Sequence, residues 1–441
     1  MIEKYLVKKI TEPVDWKVTV PGSKSMTNRA LLMAVLSAGT VRVEGVLFSD
    51  DSRHFLACLV ALGFTVEIEE EKKCVTVTGC GGRIPSREAV IDVGSAGTAA
   101  RFLAAMLGFS DGCYEIRCSA QMKRRPMAEL FDLLSGAGAK ITFLEEEGHL
   151  PVRITGCRYA RADKTAGETP RELSLDITKS TQFLSALLLI APMVPEGMKI
   201  HITSEKTDGS YIRITRKMMQ EFGVSVAFDG RDYEVPCRSS YRKETYMVEP
   251  DMSAACYFYA AAAVTGGRAL VRHVHMDNTQ GDLRFLEVLE HMGCTADDTP
   301  EGILVTGPAD GALRGITVNM NDFSDQALTL AAIAPFADAP VRIEGIGHIR
   351  GQECDRIHAI QTNLTALGIR CEEEETAATI YPGSPHGGSV ETYDDHRVAM
   401  AFSLVGLRTD GIVIENPACC RKTFENYFTV LSELTGKKME A

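Results

Sequence analysis

Six times along the chain a polar residue is followed by a run of Ala and Leu that is apolar on every side. The runs open at Ser25 ("SMTNRALLMAVL"), Ser95 ("SAGTAARFLAAML"), Ser180 ("STQFLSALLLIAP"), Asp251 ("DMSAACYFYAAAA"), Ser324 ("SDQALTLAAIAPF") and Asp394 ("DDHRVAMAFSLVGL"). A helix at the surface keeps one polar face, so helices apolar all round must be buried. Ser and Asp accept hydrogen bonds from the free N–H groups of a first helical turn, which makes each opening residue a cap. A second element recurs in phase: amphipathic stretches that end at Gly63, Gly138, Gly223, Gly293, Gly368 and Gly436. Glycine just past the last periodic residue is a helix stop. Short alternating runs such as "FTVEIEE" and "AKITFLE" follow most of these glycines and read as strands.

The unit is therefore an α/β repeat of about 72 residues in six copies. A helical solenoid does not fit, because solenoid periods run to about 20–50 residues and contain no strands of this kind. With 441 residues the chain is long for one core and sufficient for two. The expected fold is a two-domain, inside-out α/β architecture with three βαβαββ repeats in each half. "VTVPG" (18–22) and "MVEPD" (247–251) each place Pro just before a capped helix. A split there predicts one domain over 22–247 and another combining 1–21 with 248–441. Two chain crossings, near 21–22 and 247–250, would form a hinge suited to closing around a ligand.

A formal net charge of −12 opposes non-specific binding to nucleic acid or to anionic membranes. The longest apolar run, "FLSALLLIAPMV", is too short to span a bilayer, and "MIEKYLVKKITEPVDW" lacks the apolar stretch of a secretory signal. Thirteen cysteines without a CxxC pair point to reduced thiols, and the expected compartment is the cytoplasm. No HExxH or other ligand-spaced cluster is present, so no metal is expected.

Against this acidic background several cations stand at unfavourable places. Lys24 and Arg29 flank the first cap, Arg101 follows the second and Arg397 the sixth. A cation near a helix N-terminus opposes the helix dipole at a cost of a few tenths to about 1 kcal/mol. Several together suggest an anion between them, since helix N-termini and cations favour the same partner. "MKRRPM" (122–127) adds three cations before a Pro that can open a helix at its first position. "HIRGQECDRI" (348–357) mixes Arg350 and Arg356 with Glu353 and Asp355. "GSKS" is not a Walker loop, which requires GxxxxGK[ST]. By position alone, Ser180, Asp251 and Asp325 read as caps and Glu353 as a partner of Arg356.

Taken in order, "PGSKSMTNRALLMAVLSAGT", "GSAGTAARFL", "RRPM", "STQFLSALLL", "SDQALTLA", "ECDRI", "DDHRVAMAFSL" and "RKTFENYF" resemble the signature blocks of the 5-enolpyruvylshikimate-3-phosphate synthase family, over about residues 20–430. The resemblance implies a cofactor-free reaction in chorismate and aromatic amino acid biosynthesis, with two small-molecule substrates and a monomeric enzyme. The 5-hydroxyl of shikimate 3-phosphate attacks C2 of phosphoenolpyruvate (PEP), C3 is protonated, and the tetrahedral intermediate loses phosphate. Lys24 matches the lysine touching both substrates. Ser25, Arg29, Ser180, Thr181, Gln182 and Tyr211 match residues around shikimate 3-phosphate, and Gln182 lies between the two substrates. Gly97, Arg125, Arg356, Arg397 and Lys422 match the PEP site, and Lys24, Lys422, Asp325 and Glu353 the catalytic set. Asp325 matches the acceptor of the hydroxyl proton, and Glu353 the carboxylate acting at PEP C3. Glyphosate is implied as an inhibitor competing with PEP beside Gly97.

The chain also departs from the family pattern. Gln352 stands where Lys contacts the shikimate substrate, His348 where Asn is usual, Ser95 for Asn, Phe102 for Pro and Cys354 for Thr or Ser. Losing a cation at 352 is expected to weaken acceptor binding by about 1.5–3 kcal/mol if that cation bonded a charged group. Two other readings share parts of the pattern: an enolpyruvyl transferase acting on a UDP-sugar, and a non-catalytic anion-binding relative. The first typically uses a reactive Cys in a mobile loop, which "MKRRPM" does not supply; the second leaves Lys24, Asp325, Glu353, Arg397 and Lys422 unexplained together.

Overall fold

The computed structural model describes residues 3–157, 170–309 and 312–436. Contacts divide the chain into two compact units, Gly22–Glu249 and Met1–Pro21 with Pro250–Ala441. Each unit holds three small mixed sheets. The second repeat of Gly22–Glu249 shows the pattern. Strand Glu88–Asp92 leads into the apolar helix Gly97–Gly108, which returns to a parallel strand, Cys113–Arg117. The helix Ala128–Gly136 then leads to an antiparallel pair, Lys140–Phe143 and Val152–Thr155, and the latter pairs with Cys113–Arg117. That is one βαβαββ repeat. Arg171–Leu175 to Asp232–Val235 repeats it, and Thr317–Asn319 to Ala378–Ile380 repeats it in the other unit.

Two strands pair away from the repeat they introduce. Asp15–Val18 precedes the apolar helix Lys24–Leu36 but lies parallel to Arg268–Arg272, with Trp16 opposite Ala269. Thr245–Met247 precedes the apolar helix Met252–Thr265 but lies parallel to Thr40–Glu44, with Tyr246 opposite Val43. Each sheet thereby gains its first strand from a segment on the far side of a crossing. Among the described residues the last repeat has no closing hairpin, and Lys4–Leu6 pairs antiparallel with Ile412–Glu415 in its place.

The apolar helices are buried as their composition requires. Every residue of Gly97–Gly108 is buried, as is every residue from Met26 to Leu36. Among the described residues, no helix is long and apolar enough to cross a membrane.

All six stop glycines adopt left-handed φ, from +64° at Gly436 to +108° at Gly293. Gly293 shows the closure in full. Its N–H reaches the Glu290 carbonyl at 2.9 Å, and the Cys294 N–H reaches the Leu289 carbonyl at 2.9 Å, satisfying the last carbonyls of Phe285–His291.

The caps differ in detail from the sequence expectation. Ser180 and Asp251 do cap their helices, accepting from Gln182 N–H and from Ser253 and Ala254 N–H. The sixth cap is Asp395 instead of Asp394. The first helix starts after Ser23 and the second after Ala96, and neither has a side-chain cap bond. Ser324 opens a short 3₁₀ turn, Ser324–Gln326, ahead of the helix Ala327–Ile333. Pro126 does not open a helix; Met127 is the N-cap and the helix begins at Ala128. The sequence pattern marks where a helix begins to within two residues, whereas the local turn chooses the residue that caps it.

An added Cβ at Gly293 would meet nothing within 4 Å, so its substitution isolates backbone strain. Gly293→Ala should cost about 1–2 kcal/mol, read as a lowered thermal unfolding midpoint with unchanged turnover.

Candidate active site

In the unit Gly22–Glu249, the N-terminal turns of three buried helices lie side by side. Asn28 Nδ2 donates to Thr98 Oγ1 at 2.6 Å, joining Lys24–Leu36 to Gly97–Gly108. Arg101 Nη1 donates to Gln182 Oε1 at 2.8 Å, joining Gly97–Gly108 to Thr181–Ile190. The two helices without a side-chain cap are among these three, so their first-turn N–H groups present the positive dipole end with no side-chain acceptor on it.

Cations gather on these termini. A Cβ at Gly97 would stand 2.6 Å from Arg125 Nη1 and 2.8 Å from Arg101 Nη1, so two guanidinium groups converge over a position where a methyl group would have to push them aside. Lys24 Nζ pairs with Asp51 Oδ2 at 3.3 Å; Asp51 is buried, and its Oδ1 has no hydrogen-bond partner among the described residues.

Arg29 is fully buried and its hydrogen bonds go to neutral groups: Thr215 Oγ1 at 2.8 Å, Ser185 Oγ at 3.3 Å, and the carbonyls of Ser25 and Tyr211. Its guanidinium also lies 5.2 Å from the Phe102 ring centre and 5.7 Å from that of Tyr211. Burial lowers its pKa to about 10, which still leaves it charged at neutral pH. Among the described residues no carboxylate forms an ion pair with it. A buried charge held only by neutral groups is costly, and an anionic ligand nearby offsets that cost. Ser25, Ser180, Thr181 and Tyr211 are half-buried around these helix starts.

The unit formed by Met1–Pro21 and Pro250–Ala441 centres on Arg356, 1% exposed and the first residue of helix Arg356–Ala366. Its Nε donates to Asp395 Oδ2 at 2.8 Å, Nη1 to Asp325 Oδ1 at 3.0 Å, and Nη2 to Glu353 Oε2 at 3.0 Å. Gln352 Oε1 also accepts from Nη1. Burial alone would lower the Arg356 pKa, but Asp395, Glu353 and Asp325 outweigh it and hold the group firmly charged. Arg397 Nη2 donates to the other oxygen of Asp325 at 2.9 Å, and Lys422 Nζ lies 3.3 Å from the other oxygen of Glu353. Asp325 and Glu353 thus each bridge two cations.

Asp325, Gln352, Glu353, Arg356, Arg397 and Lys422, singled out by sequence, all fall in this one network. Lys24, Ser25, Arg29, Gly97, Arg125, Ser180, Thr181, Gln182 and Tyr211 fall in the other unit.

Two participants escaped the sequence reading, and a third, Arg101, lacked its partner there. Asp395 follows Asp394, the expected cap, yet it is Asp395 that caps helix His396–Arg408 and takes two bonds from Arg356. Asp51, in the acidic start of helix Asp50–Ala61, faces Lys24. Arg101 was noted as a misplaced cation without a partner, and the structure supplies Gln182.

The departures from the family pattern have local partners. His348 Nε2 and Ser324 Oγ are 2.7 Å apart, and the Cys354 thiol donates to Asp395 Oδ2 at 3.6 Å. Phe102 provides the ring beneath Arg29. Gln352 gives Arg356 a neutral acceptor where a Lys would bring a second cation.

Compared with solved structures, the fold is that of the enolpyruvyl transferases. The enolpyruvyl transferase NikO of Streptomyces tendae superposes with a TM-score of 0.73 over 98% of this chain and 97% of its own, at 16% identity. EPSP synthase of Acinetobacter baumannii superposes with a TM-score of 0.79 over 99% of both chains at 25% identity. The family model for EPSP synthase (3-phosphoshikimate 1-carboxyvinyltransferase) matches residues 8–431. The 3-phosphoshikimate 1-carboxyvinyltransferase of Trichormus variabilis is 41% identical over 97% of this chain and 98% of its own, and that of Sulfurovum sp. 39% over 96% and 97%. The chain belongs to the EPSP synthase family.

Removing the hub cation leaves three carboxylates facing one another. Arg356→Met should lower stability by about 3–5 kcal/mol. Thermal or urea unfolding checks this, and a loss below about 1 kcal/mol would mean the ion pairs are not formed in solution.

Proposed function

We propose that the chain transfers the carboxyvinyl group of PEP to the 5-hydroxyl of shikimate 3-phosphate with Asp325 as proton acceptor and Glu353 as the acid at PEP C3. The observation that carries this reading is the sharing of Asp325 between Arg356 and Arg397. With both oxygens held by guanidinium groups, Asp325 is a poor base. The PEP carboxylate is a competing partner for the same two arginines. When it binds, Asp325 loses part of that stabilisation, and an acceptor hydroxyl beside it can give up its proton.

The hydroxyl oxygen then bonds to C2 of PEP, its proton passing to Asp325, while the C2–C3 π pair takes a proton at C3 from Glu353. Glu353 enters this step as the carboxylic acid once bound PEP has drawn its cations away. In the second step C3 returns that proton to Glu353, the double bond reforms, and the C2–O bond to phosphate breaks. Glu353 lies between Arg356 and Lys422, and their charges favour its ionised form after it delivers the proton. Lys422 would also meet the departing phosphate. No step calls for a redox group.

The acceptor side draws on the other unit. Arg29, Ser25, Ser180, Thr181, Gln182 and Tyr211 would hold shikimate 3-phosphate, the hydroxyls of Ser180 and Thr181 meeting its 3-phosphate. Lys24, Gly97 and Arg125 would complete the PEP site, with Lys24 leaving Asp51 for the substrates. The reaction needs both sets around one pair of substrates, so the reading includes substrate-dependent closure about the crossings near 21–22 and 247–250.

Phosphate release should require both PEP and shikimate 3-phosphate. Release with a UDP-sugar as acceptor, or binding of both ligands without turnover, would reject the reading. Asp325→Asn should lower kcat by about 10²–10⁴-fold, with much less effect on the binary affinity for shikimate 3-phosphate.

Glyphosate should compete with PEP at the convergence of Arg101 and Arg125 over Gly97. Because a methyl group there must displace both guanidinium tips, Gly97→Ala should raise the PEP KM and weaken inhibition. Unchanged inhibition would place the inhibitor elsewhere.

A further inference from the structure

The charges around Asp325 leave one carboxylate over. Arg356, Arg397 and Lys422 face Asp325, Glu353 and Asp395. Asp282, in the turn Gly281–Arg284, is buried behind them, and among the described residues no cation pairs with it. Its Oδ2 accepts from Ser253 Oγ and, at 3.1 Å, from Gln326 Nε2.

Both contacts lead to Asp325. Gln326 is its chain neighbour, and the Gln326 Oε1 is fixed in turn by Thr329 Oγ1 at 2.9 Å. Ser253 Oγ accepts from Arg397 Nη2 at 3.4 Å, the same nitrogen that bonds Asp325. The turn is itself anchored: Gln280 Nε2 donates to the Pro250 carbonyl at 2.7 Å, and Gln280 Oε1 accepts from Met252 N–H at 3.2 Å. Asp282 thus braces Asp325 from the backbone side through Gln326 and from the guanidinium side through Ser253.

We propose that Asp282 is a positioning residue of the transfer reaction, holding Arg397 and Asp325, through Ser253 and Gln326, in the arrangement that the acceptor hydroxyl meets. The inference rests on the role of Asp325 given above. The titratable groups that face Asp282 are Asp325, Arg397 and Cys256, whose thiol donates to the Asp282 carbonyl at 3.7 Å. Burial, reinforced by the charge of Asp325, pushes the Asp282 carboxyl up to about 7. Below that pH the side chain is a neutral hydrogen-bonding group of nearly the same shape as Asn.

Two consequences separate positioning from a purely structural role. Asp282→Ala and Ser253→Ala should each lower kcat by about 10- to 100-fold, the double variant being no worse than Asp282→Ala. Asp282→Asn, which keeps the bonds without the charge, should recover kcat to within about threefold of wild type. Because the carboxyl ionises more easily in the unfolded chain, wild type loses stability as pH rises from 4 through about 7. The Asn variant should therefore unfold at a higher temperature than wild type at pH 8, the gap closing near pH 4.

Steady-state kinetics and thermal scans on the full-length variants test this. Wild-type kcat in both Ala variants, or an Asn variant as impaired as Ala, overturns the inference, and Ser253→Ala serves if Asp282→Ala does not fold. Wild-type protein that releases no phosphate with the two substrates overturns the functional reading itself. Active wild type with unimpaired variants overturns this inference alone.

Discussion

One buried guanidinium organises the polar network of the unit Met1–Pro21 with Pro250–Ala441. Arg356 is 1% exposed and bonds Asp325, Glu353 and Asp395, none of which could lie so close to the others without a cation between them. Its position as the first residue of a helix sets it against the helix dipole, and the three carboxylates more than offset that opposition. Asp325 and Glu353 also reach Arg397 and Lys422, so each of these carboxylates is held between two cations. In the proposed reaction an arriving anionic substrate competes for those cations. In the proposed mechanism, substrate binding and activation of the base are one exchange of ion-pair partners.

The same logic shapes the other half with different groups. There the helix starts do part of the work: two of the three converging helices lack side-chain caps, and Arg101, Arg125 and Lys24 stand over or beside them. Among the described residues Arg29 meets no carboxylate hub; hydroxyls, carbonyls and two aromatic rings hold it. One half stores its cations against internal carboxylates. The other keeps a buried cation on neutral partners.

The architecture was legible in the chain because its two signals are backbone-level and repeated. Apolar runs can only be buried helices, and the stop glycines at 63, 138, 223, 293, 368 and 436 all take left-handed φ. Cap identity was less legible: Ser25, Ser95 and Asp394 are not the caps, since one or two residues of loop geometry move the helix start without changing the apolar pattern. The exchange of Asp15–Val18 and Thr245–Met247 between sheets left no local mark, because strand pairing is non-local. In the site, residues in distinctive motifs could be named from sequence. Asp395, Asp51, Ser253 and Asp282 could not, because each matters through a partner that only the fold brings near.

The exchange of ion-pair partners at Asp325 is open to direct observation. A crystal structure with shikimate 3-phosphate and a non-reactive PEP analogue would show where Arg356 and Arg397 turn when ligand arrives. The expected result is at least one of them moved from Asp325 onto the analogue's anionic groups, with the 5-hydroxyl within hydrogen-bonding distance of the freed carboxylate oxygen. Both arginines still seated on Asp325, with the hydroxyl facing another side chain, would contradict the mechanism at its first step.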